Sequence, residues 1–307
     1  MYLPTIRQLQ YLTAIVELGH FGQAAERCNV TQSTLSAGLK ELENLLGAEL
    51  VERTRRSVRP TALGIDIADK ARIVLDGARE ISEAASAASN PLTGQIRLGV
   101  IPTIGPFVLP RVLGGLRNAY PELQLLLSEE QTAVALDMLS RGALDVALLA
   151  LPYDVSTFDT LALGRDPFWV AMPKGHALAK RRIIKPEHLD RDELLLLDDG
   201  HCLRDHALGA CHFADNTSRA GFGTNSLYTM VEMVANGLGV TLLPEIALSA
   251  GLGKASAIEL RPLQGGATGR ELALVWRKSY RRDSDVAALG AYLRGRMAGL
   301  RVKRNKP

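Results

Sequence analysis

Val30-Thr-Gln-Ser-Thr-Leu-Ser-Ala-Gly-Leu-Lys-Glu-Leu-Glu-Asn-Leu-Leu-Gly47 reads as one helix with both ends written into it. Thr31 suits an N-cap, Val30 before it and Leu35 within it suit a hydrophobic staple, and Gly47 stops the helix. Leu35, Leu39, Leu42 and Leu46 recur at helical spacing and make one apolar face. At the N-terminal end the opposite face presents Gln32, Ser33, Ser36 and Lys40. These short donors, acceptors and one cation suit base edges and phosphates in a major groove, and they equally suit a solvated helix face.

The flanks decide between the two. Upstream, Leu9, Leu12, Ile15 and Val16 predict a first helix ending at Gly19. Phe21, Ala24, Ala25 and Cys28 predict a shorter second helix, with Cys28 as a core thiol on its packed face. Downstream, Arg53-Thr-Arg-Arg-Ser-Val-Arg59 places four arginines in seven residues, without an acid, between Leu50-Val51 and Pro60. Two short strands around that basic turn would form a wing, laying guanidiniums along phosphates or into a minor groove. The expected unit over residues 1–61 is a mainly α winged helix-turn-helix that reads a double-stranded DNA operator.

Past Thr61, the residues Ile67, Ala71, Val74, Ala78, Ile81, Ala85 and Ala88 alternate spacings of four and three. That heptad seam predicts a long linker and dimerisation helix over 62–91, paired with a second copy or else packed on its own regulatory domain. Asn90-Pro-Leu-Thr-Gly94 breaks it.

Composition narrows the class of protein. The chain has 307 residues, 47% of them apolar and 22% charged, and a net charge of +3, which is too weak by itself to point to a polyanion. No apolar run is long enough for a membrane helix and the N-terminus lacks a leader pattern, so the expectation is a cytoplasmic protein with no membrane association. The three cysteines lack metal-ligand spacing. Neither a metal nor a cofactor is expected, and in a reducing compartment a disulfide would be transient and regulatory.

From about residue 92 onward, short apolar runs alternate with helical stretches, which predicts an α/β domain with largely parallel sheets over 92–307. Strands are expected at Ile96–Val100, Leu123–Leu127, Val146–Leu149, Trp169–Met172, Leu194–Leu197, Val240–Leu243 and Leu272–Trp276, with helices at Thr132–Ser140 and Ser226–Ala235. The basic tail Arg301–Pro307 reads as a frayed end.

Within this region lies Asp199-Gly-His-Cys-Leu-Arg-Asp-His-Ala-Leu-Gly-Ala-Cys211. If it is helical, its two sulfurs lie on opposite faces and about 13.5 Å apart along the axis. A disulfide needs Cα atoms within about 4.4–6.8 Å, so the helix and the bond exclude one another. His201, Arg204 and a helix start capped by Asp198 or Asp199 would favour a thiolate at Cys202. The alternative is a pair of ordinary core thiols.

Phe21-Gly-Gln-Ala-Ala25, Val30-Thr-Gln-Ser-Thr-Leu-Ser36, Leu42-Glu43, Leu46-Gly47, Leu50, Arg53 and Pro60-Thr61 resemble the N-terminal domain of the LysR-type transcriptional regulators. Leu139-Ser-Arg-Gly-Ala-Leu-Asp-Val-Ala147 and Val234-Ala-Asn-Gly-Leu-Gly-Val-Thr-Leu-Leu-Pro244 extend the resemblance to nearly the whole chain. It implies DNA contacts from Gln32, Ser33, Thr34, Ser36, Lys40, Arg53, Arg55, Arg56 and Arg59. For the C-terminal domain it implies a periplasmic-binding-protein-like regulatory domain of two subdomains, about 92–165 with 270–307, and about 166–269.

Gly200-His-Cys-Leu-Arg-Asp205, Cys211 and Ile101-Pro-Thr-Ile-Gly-Pro106 further resemble the peroxide-sensing OxyR branch of that family. The resemblance implies Cys202 as peroxidatic nucleophile, Cys211 as resolving cysteine, and Thr103 and Thr132 as hydroxyls that hold hydrogen peroxide. His201 or water would supply a proton and Arg204 would lower the thiol pKa. The implied protein is no enzyme but a redox-switched regulator of oxidative-stress genes. Its partners would be the operator, RNA polymerase, hydrogen peroxide, a cellular thiol that resets the bond, and further copies in a homodimer or homotetramer. The alternative is a regulator that binds a small metabolite in the cleft, its cysteines incidental. The chain departs from the branch at Gly221-Phe-Gly-Thr-Asn-Ser226, where relatives carry His-Phe-Arg-Ala-Thr-Ser; the histidine and arginine are absent.

Overall fold

The computed structural model describes residues 3–53, 58–87, 91–213, 224–264, 269–297 and 299. The wing-tip residues Arg55 and Arg56, the side chains of Arg53, Ala85 and Ala88, the break residue Asn90, the Gly221 and Gly223 positions and the tail from Arg301 lie outside them. The chain divides into a first compact unit, built mainly on residues 1–88, and a second built on 89–140 and 144–307.

The first unit holds α1 (Ile6–Leu18), α2 (Phe21–Arg27), α3 (Gln32–Leu46), β1 (Val51–Arg53), β2 (Val58–Pro60) and α4 (Ala62–Ala87). Each short helix is closed by side chains the sequence supplies. Thr5 forms a capping box with Gln8, His20 Nδ1 accepts from Gly22 and Gln23, and Thr31 Oγ1 accepts from Thr34 N. Gly19 and Gly47 end α1 and α3 in left-handed backbone. Leu12, Ile15, Ala24, Leu35, Leu39, Leu42 and Leu50 form the core. Cys28 is only half-buried at its edge and caps the end of α2.

β1 and β2 pair antiparallel, Val51 opposite Pro60 and Arg53 opposite Val58. Glu43 fixes this wing to α3, because its Oε1 accepts from Leu50 N at 2.9 Å and Val51 N at 3.2 Å. Thr61 caps α4 through Gly64 N at 2.9 Å. α4 has 26 residues, about 39 Å of helix. Along its expected seam Ala71 is buried, whereas Val74 and Ile81 are exposed, Ile81 at 75%.

The second unit contains β3 (Gly94–Val100), α5 (Gly105–Ala119), β4 (Leu123–Glu129), α6 (Thr132–Ser140), β5 (Val146–Leu151), β6 (Phe158–Pro173), α7 (Cys202–Ala210), α8 (Leu227–Ala235), β7 (Thr241–Pro244), α9 (Glu245–Ser249), β8 (Ile258–Pro262), β9 (Gly269–Arg277) and α10 (Asp283–Met297). Its strands run in the order β4-β3-β5-β9-β6-β7, with β8 also on β6. Among the described strands, β3–β4 and β3–β5 are parallel, and β5–β9, β6–β9, β6–β7 and β6–β8 are antiparallel. The expectation of largely parallel sheets is therefore corrected. Apolar runs fix where strands lie, but their direction follows from the path of β6, which passes from one sheet to the other, and of β9, which runs antiparallel to both β5 and β6.

Two further expectations change. Leu194–Leu197 makes one isolated bridge, Leu194 to Val240, rather than a strand. The first half of β6 and all of β8 were not foreseen, since Phe158-Asp-Thr-Leu-Ala-Leu-Gly-Arg-Asp166 is too polar to read as a buried run. Two apolar cores result, one around Val100, Val146, Leu148 and Leu274, the other around Phe168, Val170, Val231 and Leu243. β6 passes through both, with Leu163 in the first and Phe168 to Met172 in the second.

Gly64 illustrates how tightly the wing seats on α4, because a Cβ there would fall inside the van der Waals sphere of the Leu50 carbonyl oxygen. Gly64→Ala is expected to destabilise the first unit by about 1–3 kcal/mol, read as a lower midpoint of thermal unfolding.

Candidate functional site

In the first unit, Gln32, Ser33, Thr34 and Lys40 are exposed and Ser36 is half-buried along the start of α3. Ser33 and Thr34 both hydrogen-bond through their hydroxyls to Thr31 Oγ1, at 2.9 and 2.8 Å. The helix start thus presents a fixed cluster of hydroxyls rather than free rotors. Arg59 is exposed on β2.

In the second unit, α7 begins at Cys202 and its C-cap is Cys211. The helix is intact and both thiols are free. Cys202 is 4% exposed and belongs to the first apolar core; Cys211 is 3% exposed and belongs to the second. The N-cap position is His201, without a side-chain bond to the helix, so neither Asp198 nor Asp199 caps it as expected. Asp199 instead accepts an ion pair from Arg204 Nε at 3.0 Å.

A crevice with about 160 Å³ of empty space lies against Cys202, lined by Ile101, Pro102, Thr103, Gln131, Thr132, Gly200, His201 and Cys202, and too narrow for a water-sized sphere. Gly200 belongs there for a steric reason: its φ is +91° and a Cβ would press on Gln131 Oε1. His201 is buried, and its Nε2 donates to Asn225 Oδ1 at 3.0 Å. Thr132 is 1% exposed, and its Oγ1 makes no geometric hydrogen bond among the described residues. That hydroxyl is aimed at Cys202 and favours its ionised form.

Beneath the crevice is a buried cation that sequence reasoning missed. Arg270, 2% exposed, donates Nη1 to Thr103 Oγ1 at 2.7 Å, Nη2 to the Thr103 carbonyl at 3.0 Å, and Nε to Asp166 Oδ2 at 3.0 Å. Asp166 is fully buried and also accepts from Ile246 N at 3.0 Å. Arg270 and Asp166 are 104 residues apart, each at the edge of an apolar run, and nothing local couples them. An arginine two residues before the run Leu272–Trp276 was the available signal.

The electrostatics of Cys202 depart from the expectation. Burial pushes its thiol pKa up, while Arg270 and then the Thr132 hydroxyl pull it down, and Asp205 raises it again. Burial outweighs the rest, so the thiol keeps its proton at neutral pH. Arg204, expected to acidify the thiol, has Asp199 as its ion-pair partner, and the cation acting on the thiol is Arg270. Cys211, with burial alone acting, is pushed up to about 12. Iodoacetamide labelling of the reduced protein should therefore be slow at both residues at neutral pH. It should rise with pH past the ordinary thiol range at Cys202 and only near the top of the scale at Cys211, as read by peptide mapping.

Two family models match the chain: the bacterial regulatory helix-turn-helix protein, lysR family, over residues 6–65, and the LysR substrate binding domain over residues 89–298. The transcriptional regulator EstR of Acinetobacter baylyi is 42% identical over 90% of this chain and 92% of its own. A probable hydrogen peroxide-inducible genes activator of Mycobacterium avium is 40% identical over 95% and 94%. The Escherichia coli dual regulator OxyR is 37% identical over 96% of each chain. Among solved structures, a full-length OxyR variant from Pseudomonas aeruginosa superposes with a TM-score of 0.79 at 37% identity, covering 95% of this chain and 98% of that one. A hydrogen-peroxide-bound OxyR variant from Corynebacterium glutamicum gives 0.68 at 31% identity, covering 100% and 99%. With both models matched in order along the length of the molecule, the chain belongs to the LysR family of helix-turn-helix transcriptional regulators.

Proposed function

We propose that this chain is a peroxide-responsive regulator of oxidative-stress genes, switched by a reversible bond between Cys202 and Cys211. One observation carries the reading: the two thiols sit at opposite ends of one nine-residue helix, each packed in a different core, with two threonines, Thr103 and Thr132, around the first.

The chemistry follows from those groups. A thiolate at Cys202 attacks one peroxide oxygen, the S–O bond forms as O–O breaks, and the departing hydroxide takes a proton to leave as water. The crevice has to widen to admit a peroxide; Thr103 accepts from Arg270, so its own hydroxyl proton is free to point at a peroxide oxygen there. The otherwise unbonded hydroxyl of Thr132 serves as the second contact. Arg270 supplies positive charge toward the developing thiolate, and water, or His201 once it leaves Asn225, supplies the proton. Arg204, beside them, keeps the helix start in place through Asp199. The Cys202 sulfenic acid then loses water to the Cys211 thiol and becomes the disulfide, and a cellular thiol reverses the bond.

A bond between residues nine apart cannot coexist with α7, so the chemical step forces local refolding. In the first unit, Gln32, Ser33, Thr34, Ser36, Lys40 and the arginines at 53, 55, 56 and 59 read the operator. The exposed Val74 and Ile81 of α4 form the seam with a second copy, within a homodimer or homotetramer that engages RNA polymerase in the cytoplasm. The protein consumes its own thiols as a signal and is not an enzyme.

The match of residues 89–298 to the LysR substrate binding domain favours a second reading, in which a small metabolite is the signal and the cysteines are incidental. Anaerobic titration with hydrogen peroxide separates them. Loss of two thiols with a Cys202–Cys211 link in peptide maps is expected, and no thiol loss at micromolar peroxide would sink the redox reading. Thr132→Val tests the crevice. It removes a hydroxyl that has no geometric hydrogen bond, so stability should stay within about 1 kcal/mol of wild type. The rate of oxidation by peroxide should fall about tenfold or more.

A further inference from the structure

His206 lies one helical turn past Cys202 on α7. Side chains on a helix lean toward its N-terminus, so the imidazole covers the turn that carries the thiol. His206 is 7% exposed, and its Nε2 lies 2.8 Å from the Pro152 carbonyl oxygen, in the connection between β5 and β6. A carbonyl oxygen only accepts, so Nε2 carries the proton and Nδ1 is a bare acceptor. Nδ1 is buried and has no hydrogen-bond partner among the described residues.

A second proton on this ring would have to sit on that enclosed nitrogen. Arg270 faces the ring electrostatically from β9 and opposes it. Of the other titratable and charged groups, Arg204 pairs with Asp199, Arg270 with Asp166, Asp154 bonds Ser156, His201 donates to Asn225, and the exposed Asp205 acts on Cys202. Burial pushes the His206 pKa below the ordinary histidine value; the bond to Pro152 resists the fall and Arg270 adds to it.

We propose that neutral His206 is a positioning residue, a latch between α7 and the Pro152 carbonyl, and that its protonation accompanies conversion to the Cys202–Cys211 disulfide. The inference rests on the disulfide reading above. His206 lies between the two cysteines, so the refolding that joins them pulls the ring from its place. Released into water it titrates near about pH 6.5. The folded-state pKa is depressed, so the latch stabilises the reduced form above that pH and loses its contribution as pH falls. Acid therefore favours the disulfide.

The test is exchange with dithiothreitol, in which two electrons and two protons pass from the reagent to the protein. The protein S–S bond breaks and the reagent forms its cyclic disulfide. All thiols stay protonated well below about pH 8.5, so this equilibrium is flat with pH unless another group gains or loses a proton. Full-length wild type and H206Q are equilibrated between about pH 5.5 and 7.5, and free thiols are counted. The glutamine amide can still donate to Pro152 but cannot titrate. In wild type the constant for reduction should fall as pH drops below about 6.5, by at most about tenfold per unit, and the fall should be lost in H206Q. Equal slopes in the two proteins, or a flat wild-type curve, would overturn the latch. If wild type forms no Cys202–Cys211 bond at any pH, the redox reading falls and the latch falls with it.

Discussion

Arg270 reaches Asp166 through the interior of the second unit, where neither side chain has meaningful contact with solvent. Burying two charges is costly, and the cost is offset only when every donor and lone pair is matched. Here the guanidinium gives two further bonds, to the Thr103 hydroxyl and carbonyl, while Asp166 takes the amide of Ile246. One pair thereby ties together β9, β6, the loop after β3 and the start of α9. The loop after β3 is also a wall of the crevice, so the position of Thr103 is set by an ion pair rather than by its own backbone alone.

That arrangement leaves α7 under opposed demands. Its first residue is held in one core and its cap residue in the other, and burial disfavours ionisation at both. In the proposed switch the reduced Cys202 thus rests as a protonated thiol, with Arg270 as the cation acting on it. A protonated thiol beside a fixed cation and two hydroxyls ionises most favourably when a reacting oxygen is present to share the charge. Such a site gains selectivity at the expense of speed toward general thiol reagents.

Much of this was legible in the sequence, and the remainder shows what local patterns leave out. Thr31, Gly47, the leucines of α3 and the strands of the wing follow from neighbours within a few residues, and so does α6, found at Thr132–Ser140. Cys202 at a helix start was readable for the same reason. Strand direction was not, because it depends on how β6 and β9 cross the molecule. Nor were Arg270 and Asp166, whose meaning appears only when distant strands pair. The thiol was expected to be acidic from its sequence neighbours. Its environment is governed instead by burial and by a cation from another strand, which no window around residue 202 contains.

β6 runs for sixteen residues without interruption, and its first ten pair with β9 apart from one irregularity between Ala162 and Gly164. A ribbon of that kind is a spine, stiff along its length and shared by both halves of the unit. Two lobes built on one spine do not swing like jaws around a pin. Movement between them would have to bend β6, which is bonded to β9 over its first ten residues and to β7 and β8 over the rest. Motion is easier where the chain leaves the sheet, in α7 and its flanks. The architecture therefore favours a signal made by rewriting a short segment against a rigid frame, with the frame serving as the reference against which the change is felt.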